Sequence, residues 1–475
     1  NTEKVVSVQF LFGQCVSLKK VNISMFNTEK IQSMRGLFEN FYPRVWDFVQ
    51  NNKNPNITIS ENRTIKCLID ILKSIFPLFN FEENKIGNKT FNITPKIEII
   101  KKCTMSIFIF SCAWTMLTLS NFVIKTKVEK LINDIFKADD LKGPVFDYYI
   151  NDKTNDFELW TDLLPEEEDN SYLGKREDIF YYGNIFIPTK DTIPYTWLIS
   201  KLIEDGTPVY FNGKHSQGTT FLLEDLLGHM EDVNKVHKAK FVMSYRTNAH
   251  HIESFIEKRC DQIRKDLLGD KFGKEFVLFV DDVNMNIQMD EYGTAEGLEY
   301  LRYINDMKCI YDNNYNIFKF LEKFNLLLCG NLSAYSINDE FNHFLSKFCL
   351  ITQVVPEDLL VFIFKHSLEY KFGLYIPSTS AITALQYIQA SLKLQDLLKK
   401  EFLNSENKIH IDFSSKDVID LLQSFQMYKF KERKEQYPEF LRKLFFFENS
   451  CIYEDRFASE EEVKLYREKC CEAYS

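Results

Sequence analysis

The stretch that most constrains the fold is PVYFNGKHSQGTTFLLEDLL, residues 208–227 of this 475-residue chain. A short apolar run leads into a polar turn bounded by Gly213 and Gly218, and Thr219 and Thr220 then open an amphipathic run. This order predicts a strand, a glycine-bounded loop and a helix. In that geometry, backbone N–H groups and a helix N-terminus can cradle phosphate groups.

The loop matches the phosphate-binding pattern G-x-x-x-x-G-K-[ST] only in part. Gly213, Gly218 and Thr220 fit the pattern, whereas Thr219 occupies the lysine position. The scaffold for phosphate binding is therefore present, and its main cation is missing.

Two apolar runs further along the chain end in polar residues. KEFVLFVDDVNMN, residues 274–286, predicts a buried strand with Asp281 and Asp282 at its carboxyl tip, and NLLLCGN ends in Asn331. Ligands of open parallel sheets bind at that end of the strands. In P-loop proteins an Asp there holds Mg²⁺ and a second acid can polarise the attacking water. Each run alone also fits a strand that ends in a solvated turn, but the order of the three is typical of P-loop NTPases.

Other patterns indicate how the remaining chain is organised. Residues 143–165 alternate around a turn-rich NDKTND, which predicts a β-hairpin. A short strand is expected at 241–244, and HIESFIEKRCDQIRKDLL, residues 251–268, predicts an amphipathic helix. From Pro356 onward the apolar spacing becomes helical, as expected for an all-helical domain after an αβ core.

The run at residues 105–124 is twenty residues long and carries no charge. Its length alone would allow it to span a membrane. Ser and Thr residues inside it, together with Trp114 and Asn121, favour a helix buried on all sides in a large protein. We therefore expect no membrane anchor.

Composition narrows the class of protein. A mass of 56.2 kDa exceeds what one hydrophobic core usually serves, so more than one domain is expected. The net charge of −10 argues against a general nucleic-acid surface. Eleven scattered cysteines indicate free thiols in a reducing compartment. Because the chain begins with Asn1 and shows no signal segment, we expect it to be a piece of a longer protein.

Beyond these patterns, the sequence resembles dynein heavy chains, over the end of the second AAA+ module and all of the third. The matching stretches follow one another along nearly the whole chain, with residues 51–100 the poorest. They are GPVFDYYINDKTNDFELW, IFIPTKDTIPYTWLISKLI, RTNAHHIESFIEKRCDQIRKDLLG, FVDDVNMN, EYLRYINDMKCIYD, HIDFSSKDVIDLLQSF and LRKLFFFENSCIYEDRF. FVDDVNM resembles axonemal rather than cytoplasmic dyneins.

The resemblance implies an α/β fold: an AAA+ P-loop NTPase-like αβ core with a parallel sheet, followed by an α-helical lid. Residues 1–140 would be the C-terminal part and helical lid of the preceding AAA+ module. Residues 141–190 would form a connecting β-hairpin and strand. Residues 191–355 would be the core with its degenerate P-loop, and residues 356–475 the lid.

The resemblance also assigns roles to individual positions. Thr220 and Asp281 would ligate Mg²⁺, and Asp282 occupies the place of the catalytic acid, here expected to be inactive. Asn331 matches a sensor residue, and Lys416 stands for the lid's sensor arginine. The residues expected to contact a nucleotide are Gly213, Gly218, Thr219, Thr220, Asn331 and Lys416.

Several charged groups of the family pattern are missing. Arginines near the end of the αβ part fall on His343 and Ser346, and Ser7 occupies the finger-arginine position of the second module. A finger arginine is worth ~10³–10⁵ in rate, and threonine cannot supply the point charge of the P-loop lysine at position 219. We therefore expect ATP or ADP with Mg²⁺ to bind weakly or not at all, and hydrolysis to be negligible.

The resemblance implies a structural or regulatory AAA+ module in microtubule-based ciliary motility. Its partners would be neighbouring AAA+ modules of the same heavy chain, microtubules through the parent motor, and other dynein chains, with no nucleic acid and no membrane. Its place would be the cytoplasm, the cytoskeleton and the axoneme of a cilium or flagellum. Two alternatives stay open: a regulatory module that slowly hydrolyses ATP, and a free-standing AAA+ scaffold.

Overall fold

The structure is a computed structural model that describes the chain in fourteen stretches. They are residues 42–52, 60–75, 94–119, 125–136, 143–151, 157–164, 188–213, 217–286, 295–312, 317–332, 339–353, 380–402, 413–427 and 437–474. The chain divides into two compact units. The first lies within residues 1–164, 188–214 and 222–354, and the second within residues 165–187, 215–221 and 355–475.

Helices and strands alternate through the middle of the chain, and helices dominate both ends. Residues 42–51 are helical. The labelled elements that follow are α1 (Glu61–Ile75), α2 (Thr94–Leu119), α3 (Lys125–Phe136), β1 (Tyr148–Ile150), β2 (Phe157–Leu159), α4 (Ile193–Glu204), β3 (Val209–Asn212), α5 (Thr219–Asp232), β4 (Val236–Val242), α6 (Ala249–Arg259), β5 (Asp261–Arg264), β6 (Leu267–Gly269), β7 (Glu275–Asp281), α7 (Glu296–Met307), β8 (Cys309–Asp312), β9 (Ile317–Leu321), β10 (Phe324–Gly330), α8 (Asp339–Leu345), β11 (Cys349–Thr352), α9 (Ser380–Phe402), α10 (Ser415–Met427), α11 (Tyr437–Tyr453) and α12 (Glu460–Tyr474).

A five-stranded sheet forms the core of the first unit. Its order is β11-β3-β10-β7-β4, and every neighbouring pair is parallel. Strands β3, β10 and β11 are buried along their whole length. Such burial is expected of a parallel sheet that is covered on both faces, and it explains the continuous apolar runs. The strands predicted before Gly213, at 274–286 and at 325–331 are confirmed as β3, β7 and β10.

The strand predicted at 241–244 is displaced. Strand β4 begins at Val236 and ends at Val242. It lies at the edge of the sheet, and its lysines at 238 and 240 pair with glutamates of α5 instead of facing a core. These alternating charges hide the strand in the sequence, because an apolar run marks only strands that are buried on both faces.

The long helix predicted over residues 251–268 is wrong in its second half. Helix α6 ends at Arg259, and the next residues form β5 and β6 of a four-stranded sheet with the order β5-β6-β9-β8. The backbone N–H groups of Phe320 and Glu322 donate to the carbonyls of Asp266 and Leu268, both at 2.8 Å. Pairing with a strand about fifty residues later therefore overrides the local helical pattern.

Helix α2 is buried within the first unit. All of its residues from 106 to 119 are buried, and the helix packs against α1 and β11. Its Trp114 ring meets Phe146 and Tyr195 edge to face, at centroid distances of 5.9 and 5.4 Å. In the part of the chain that the structure describes, no helix has both the length and the apolar character to cross a bilayer. The buried-helix prediction is thus confirmed for these residues.

The predicted hairpin is present between β1 and β2. The two strands pair antiparallel, with Ile150 opposite Phe157. The side chain of Glu158 accepts hydrogen bonds from Tyr149 Oη at 3.0 Å and Asn151 Nδ2 at 2.6 Å. Cross-strand side-chain contacts of this kind stabilise a two-stranded sheet that is too small to be stable alone.

The described part of the second unit contains the helices α9, α10, α11 and α12. Helices α9 and α12 pack along each other, as do α10 and α11. Their shared core consists of large side chains: Leu394, Leu398, Phe402, Phe413, Tyr453, Phe457 and Tyr466. The helical character predicted beyond the αβ core is confirmed for these residues.

Replacement of Trp114 tests the packing of α2. Trp114→Ala should lower the free energy of unfolding by about 3–5 kcal/mol, because it removes a buried aromatic side chain. Trp114→Phe should cost clearly less than Trp114→Ala, because it keeps an aromatic ring and removes a buried indole N–H that has no partner among the described residues. Chemical denaturation followed by circular dichroism measures both, and equal losses would contradict this packing.

The Asp70 carboxyl on α1 should make stability depend on pH. Burial raises its pKa to about 6, an increase that Lys66 and Lys73 oppose, and its Oδ2 has no hydrogen-bond partner among the described residues. The ordinary value is about 3.9, so the unfolded chain loses this proton first and stability falls as the pH rises from about 4 to 6. Asp70→Asn should raise the free energy of unfolding by about 2 kcal/mol at pH 7. Urea titrations at several pH values should show this gain vanish near pH 4, and a gain independent of pH would contradict the prediction.

Candidate functional site

Strand register brings several of the predicted site residues to one edge of the five-stranded sheet. Asn212 pairs with Gly330, so Gly213 and Asn331 follow side by side. Val280 pairs with Leu328, so Asp281 and Asp282 lie at the level of the last residues of β10. Because all these strands are parallel, their polar carboxyl ends coincide, and this edge is where α/β proteins bind ligands.

The end of β3 is held by a buried asparagine that sequence reasoning missed. The Oδ1 of Asn212 accepts from the N–H of Leu332 at 2.9 Å, and its Nδ2 donates to Thr352 Oγ1 at 3.3 Å. The N–H of Gly213 donates to the carbonyl of Gly330 at 3.4 Å. Asn212 thus ties three strand ends together. The signal in the sequence that could have identified Asn212 is a polar residue at the end of a short apolar run.

The loop after β3 ends where the sequence predicted. Gly218 has a φ of +75°, a conformation that favours glycine, and α5 begins at the next residue, Thr219. Gly218, Thr219 and Thr220 are grouped with the second unit, whereas Gly213, Asp281, Asp282 and Asn331 belong to the first. The roles predicted for the three loop residues remain predictions.

The two acidic residues at the end of β7 have different surroundings. Asp281 is only 6% exposed, and its Oδ1 accepts from the N–H of Asp282 at 3.0 Å. Its Oδ2 lies 3.6 Å from the Nζ of Lys240. Asp282 is exposed and has a φ of +54°, a left-handed conformation that Asp tolerates better than most residues. Asp281 is therefore a fixed carboxylate, whereas the chain turns away from the sheet at Asp282.

Asn331 is positioned through Asn284, a second residue that sequence reasoning missed. The N–H of Asn331 donates to Asn284 Oδ1 at 3.0 Å, and Asn284 lies in the short turn that follows Asp282. Next to this contact there is no room for a side chain at Gly330, where a Cβ would lie 2.5 Å from Tyr210 Oη. Burial raises the pKa of that Tyr210 hydroxyl well above its ordinary value, so it stays protonated.

Lys416 lies in the second unit, near the start of α10. Its side chain is exposed, whereas the neighbouring Asp417 is buried. The Asp417 carboxylate accepts from the N–H of Ser414 at 2.8 Å and forms an ion pair with Arg456. This pair fixes the beginning of α10. The sensor role of Lys416 stays a prediction.

Two cationic side chains of α1 contact the end of helix α8, where His343 and Ser346 occupy the positions of the family's arginines. Arg63 Nη2 donates to the carbonyl of Asn342 at 2.7 Å, and Lys66 Nζ donates to the carbonyl of Ser346 at 2.8 Å. Burial lowers the pKa of both groups. Positive charge at a helix C-terminus stabilises the exposed carbonyls. His343 is exposed and Ser346 closes the helix, while Ser7 lies outside the described residues.

Comparisons with known proteins point to one family. Residues 34–162 match a family model described as the dynein heavy chain AAA lid domain, and residues 175–356 match one described as the P-loop containing dynein motor region. Together with the parallel sheet, these matches confirm the predicted α/β P-loop fold with a helical lid domain, and the matched lid domain precedes the core in the chain.

Several individual proteins are similar to this chain, two of them along most of its length. Dynein axonemal heavy chain 6 of Homo sapiens is 22% identical over 460 residues, which are 94% of this chain and 10% of that protein. The ciliary dynein beta chain of Tripneustes gratilla is 23% identical over 461 residues, 93% of this chain and 10% of that protein. Dynein axonemal heavy chain 12 of Rattus norvegicus is 28% identical over 249 residues, 46% of this chain and 8% of that protein. The chain thus spans about a tenth of the length of these relatives.

Gly330→Ala should disturb the edge of the sheet. The added Cβ would lie 2.5 Å from Tyr210 Oη and 2.7 Å from Asn284 Oδ1, so we expect a loss of about 1–3 kcal/mol in unfolding free energy. Gly228→Ala within α5 is the control, because its Cβ would meet only Lys238 Nζ, at 3.5 Å. This control should gain up to about 1 kcal/mol. Denaturant titration measures both, and an unchanged Gly330 variant would contradict the packing described.

Proposed function

Because this chain belongs to the dynein heavy chain family, we propose that it forms an AAA+ module of a motor ring whose own site has lost ATP hydrolysis. The observation that carries the proposal is which residues of the phosphate-binding pattern the sequence keeps and which it has lost. The phosphate-loop frame of Gly213, Gly218 and Thr220 and the acid Asp281 are kept, whereas Thr219 replaces the lysine. The architecture is retained and the main phosphate-binding charge is lost.

The residues fit a nucleotide better than they fit its metal ion. A glycine-bounded loop that opens a helix offers backbone N–H groups to phosphates. By contrast, the carboxylate expected to hold Mg²⁺ already accepts the N–H of Asp282 and lies beside the ammonium of Lys240. We infer that ATP or ADP binds weakly, through backbone groups and the Thr220 hydroxyl.

Without the lysine, the transition state of phosphoryl transfer lacks a charge on the β- and γ-phosphates. His343 and Ser346, at the end of α8, do not replace the arginines of the family pattern. The module would therefore hold or transmit a conformation instead of driving one by hydrolysis.

The setting of this module is also a proposal. The named relatives are axonemal and ciliary dyneins, which supports a place in the axoneme of a cilium or flagellum. There the module would contact neighbouring AAA+ modules of its own heavy chain and act on microtubules only through the parent motor. The domain boundaries at residues 140, 190 and 355 belong to the same proposal.

Nucleotide binding and turnover by the purified chain test this function. The native chain should bind a fluorescent ADP analogue weakly and show no steady-state ATP hydrolysis above that of a heat-denatured sample. Thr219→Lys should tighten binding by roughly tenfold or more, because it restores a charge-assisted contact to phosphate. Thr219→Met, similar in length and uncharged, is the control and should not tighten it.

Three outcomes would decide against the proposal or revise it. Rapid ATP turnover by the native chain would overturn it. Slow turnover that disappears in Asp282→Asn would favour the regulatory ATPase instead. A Thr219→Lys variant that binds no better than Thr219→Met would show that the pocket itself is not a nucleotide site.

A further inference from the structure

Lys240 connects the acidic strand, which is β7 with Asp281 at its end, to the phosphate-loop helix, which is α5. The Nζ of Lys240, on β4, lies 2.5 Å from Glu224 Oε1 on α5 and 3.6 Å from Asp281 Oδ2 on β7. The same ammonium lies 5.7 Å from the ring centroid of Phe279. One cation therefore contacts two carboxylates and an aromatic face.

The ammonium of Lys240 lies between two carboxylates. Its Nζ is 2.5 Å from Glu224 Oε1 and 3.6 Å from Asp281 Oδ2. The Asp281 side chain is 9% exposed, compared with 38% for Lys240. A carboxylate this deeply buried needs a positive partner, because an uncompensated buried charge is strongly destabilising.

A neighbouring lysine forms a similar pair without contacting the acid. Lys238 Nζ lies 3.2 Å from Glu231 Oε2, also on α5. Lys238 and Lys240 share a face of β4 because side chains alternate along a strand. Both pairs bind α5 to β4, but of these two lysines only Lys240 is paired with Asp281. Lys238 is therefore a matched control residue for the effect of Lys240.

We propose that Lys240 takes the place of a divalent metal ion at Asp281, so that this module binds a nucleoside di- or triphosphate without Mg²⁺. A metal ion at Asp281 would share its ligand with an ammonium group, and like charges this close repel each other. Among the described residues, no group of three or more His, Cys, Asp or Glu side chains offers a metal site elsewhere. Lys240 also holds the acidic strand to the phosphate-loop helix, a link that in this chain does not require a bound ion.

The nucleotide part of this inference rests on the proposed function, whereas the metal part does not. Two measurements on the full chain therefore separate them. The first is the affinity for a fluorescent ADP analogue in Mg²⁺ and in EDTA. The second is binding of Mn²⁺ without nucleotide, measured as the decrease in the electron-paramagnetic-resonance signal of free Mn²⁺.

In the native chain, Mg²⁺ should change nucleotide affinity by less than about threefold, and Mn²⁺ should not bind at the Asp281 site. Lys240→Met should bind Mn²⁺ and make nucleotide affinity depend on Mg²⁺ by about tenfold or more. Adding Asp281→Asn to Lys240→Met should abolish both gains. Lys238→Met and Lys240→Arg should behave like the native chain, the first because Asp281 keeps its cation and the second because the charge is kept.

Other results would contradict the inference. Loss of nucleotide from the native chain in EDTA, or a Lys240→Met chain that gains no Mn²⁺ site, would overturn the inference. If no variant binds nucleotide, the proposed function fails, and the Mn²⁺ titration still decides the role of Lys240. If Lys240→Met does not fold, the native chain is compared with Asp281→Asn. Mn²⁺ binding by the native chain that is lost in Asp281→Asn would overturn the inference, whereas a lack of Mn²⁺ binding by the native chain would support it.

Discussion

The described site depends on the pairing of β10 with a parallel strand on each side. This strand is buried along its length, between β3 and β7. Its register places Gly330 beside Asn212 and Leu328 beside Val280. A shift of one residue would turn every side chain of a strand to the opposite face. The burial of β10 on both faces therefore also fixes which polar groups meet at the carboxyl edge.

Amide side chains then fix the loops that leave this edge. Asn212 contacts the ends of β10 and β11, and Asn284 holds the backbone of Asn331. These hydrogen bonds satisfy polar groups that would otherwise be costly to bury. The close approach at Gly330 is part of the same arrangement, since a side chain there would force the loops apart.

Charge around the edge is balanced within the protein. Lys240 supplies a cation to Asp281 from the neighbouring strand. At the other end of the unit, Arg63 and Lys66 of α1 neutralise the carboxyl end of α8. In both places the charge is balanced by an ionic group of the chain itself.

Sequence alone determined the buried strands β3, β7 and β10, the start of α5 directly after Gly218, the hairpin, the buried character of α2 and the family. Each of these features follows from a local sequence pattern: glycines at turns, unbroken apolar runs, or alternation of apolar and polar residues around a turn. Only the tertiary structure decided that residues 261–269 are strands, that β4 begins at Val236, and that Lys240 serves Asp281. Those features depend on hydrogen bonds and ion pairs between segments far apart in the chain, and local periodicity carries no information about which distant segment supplies the partner.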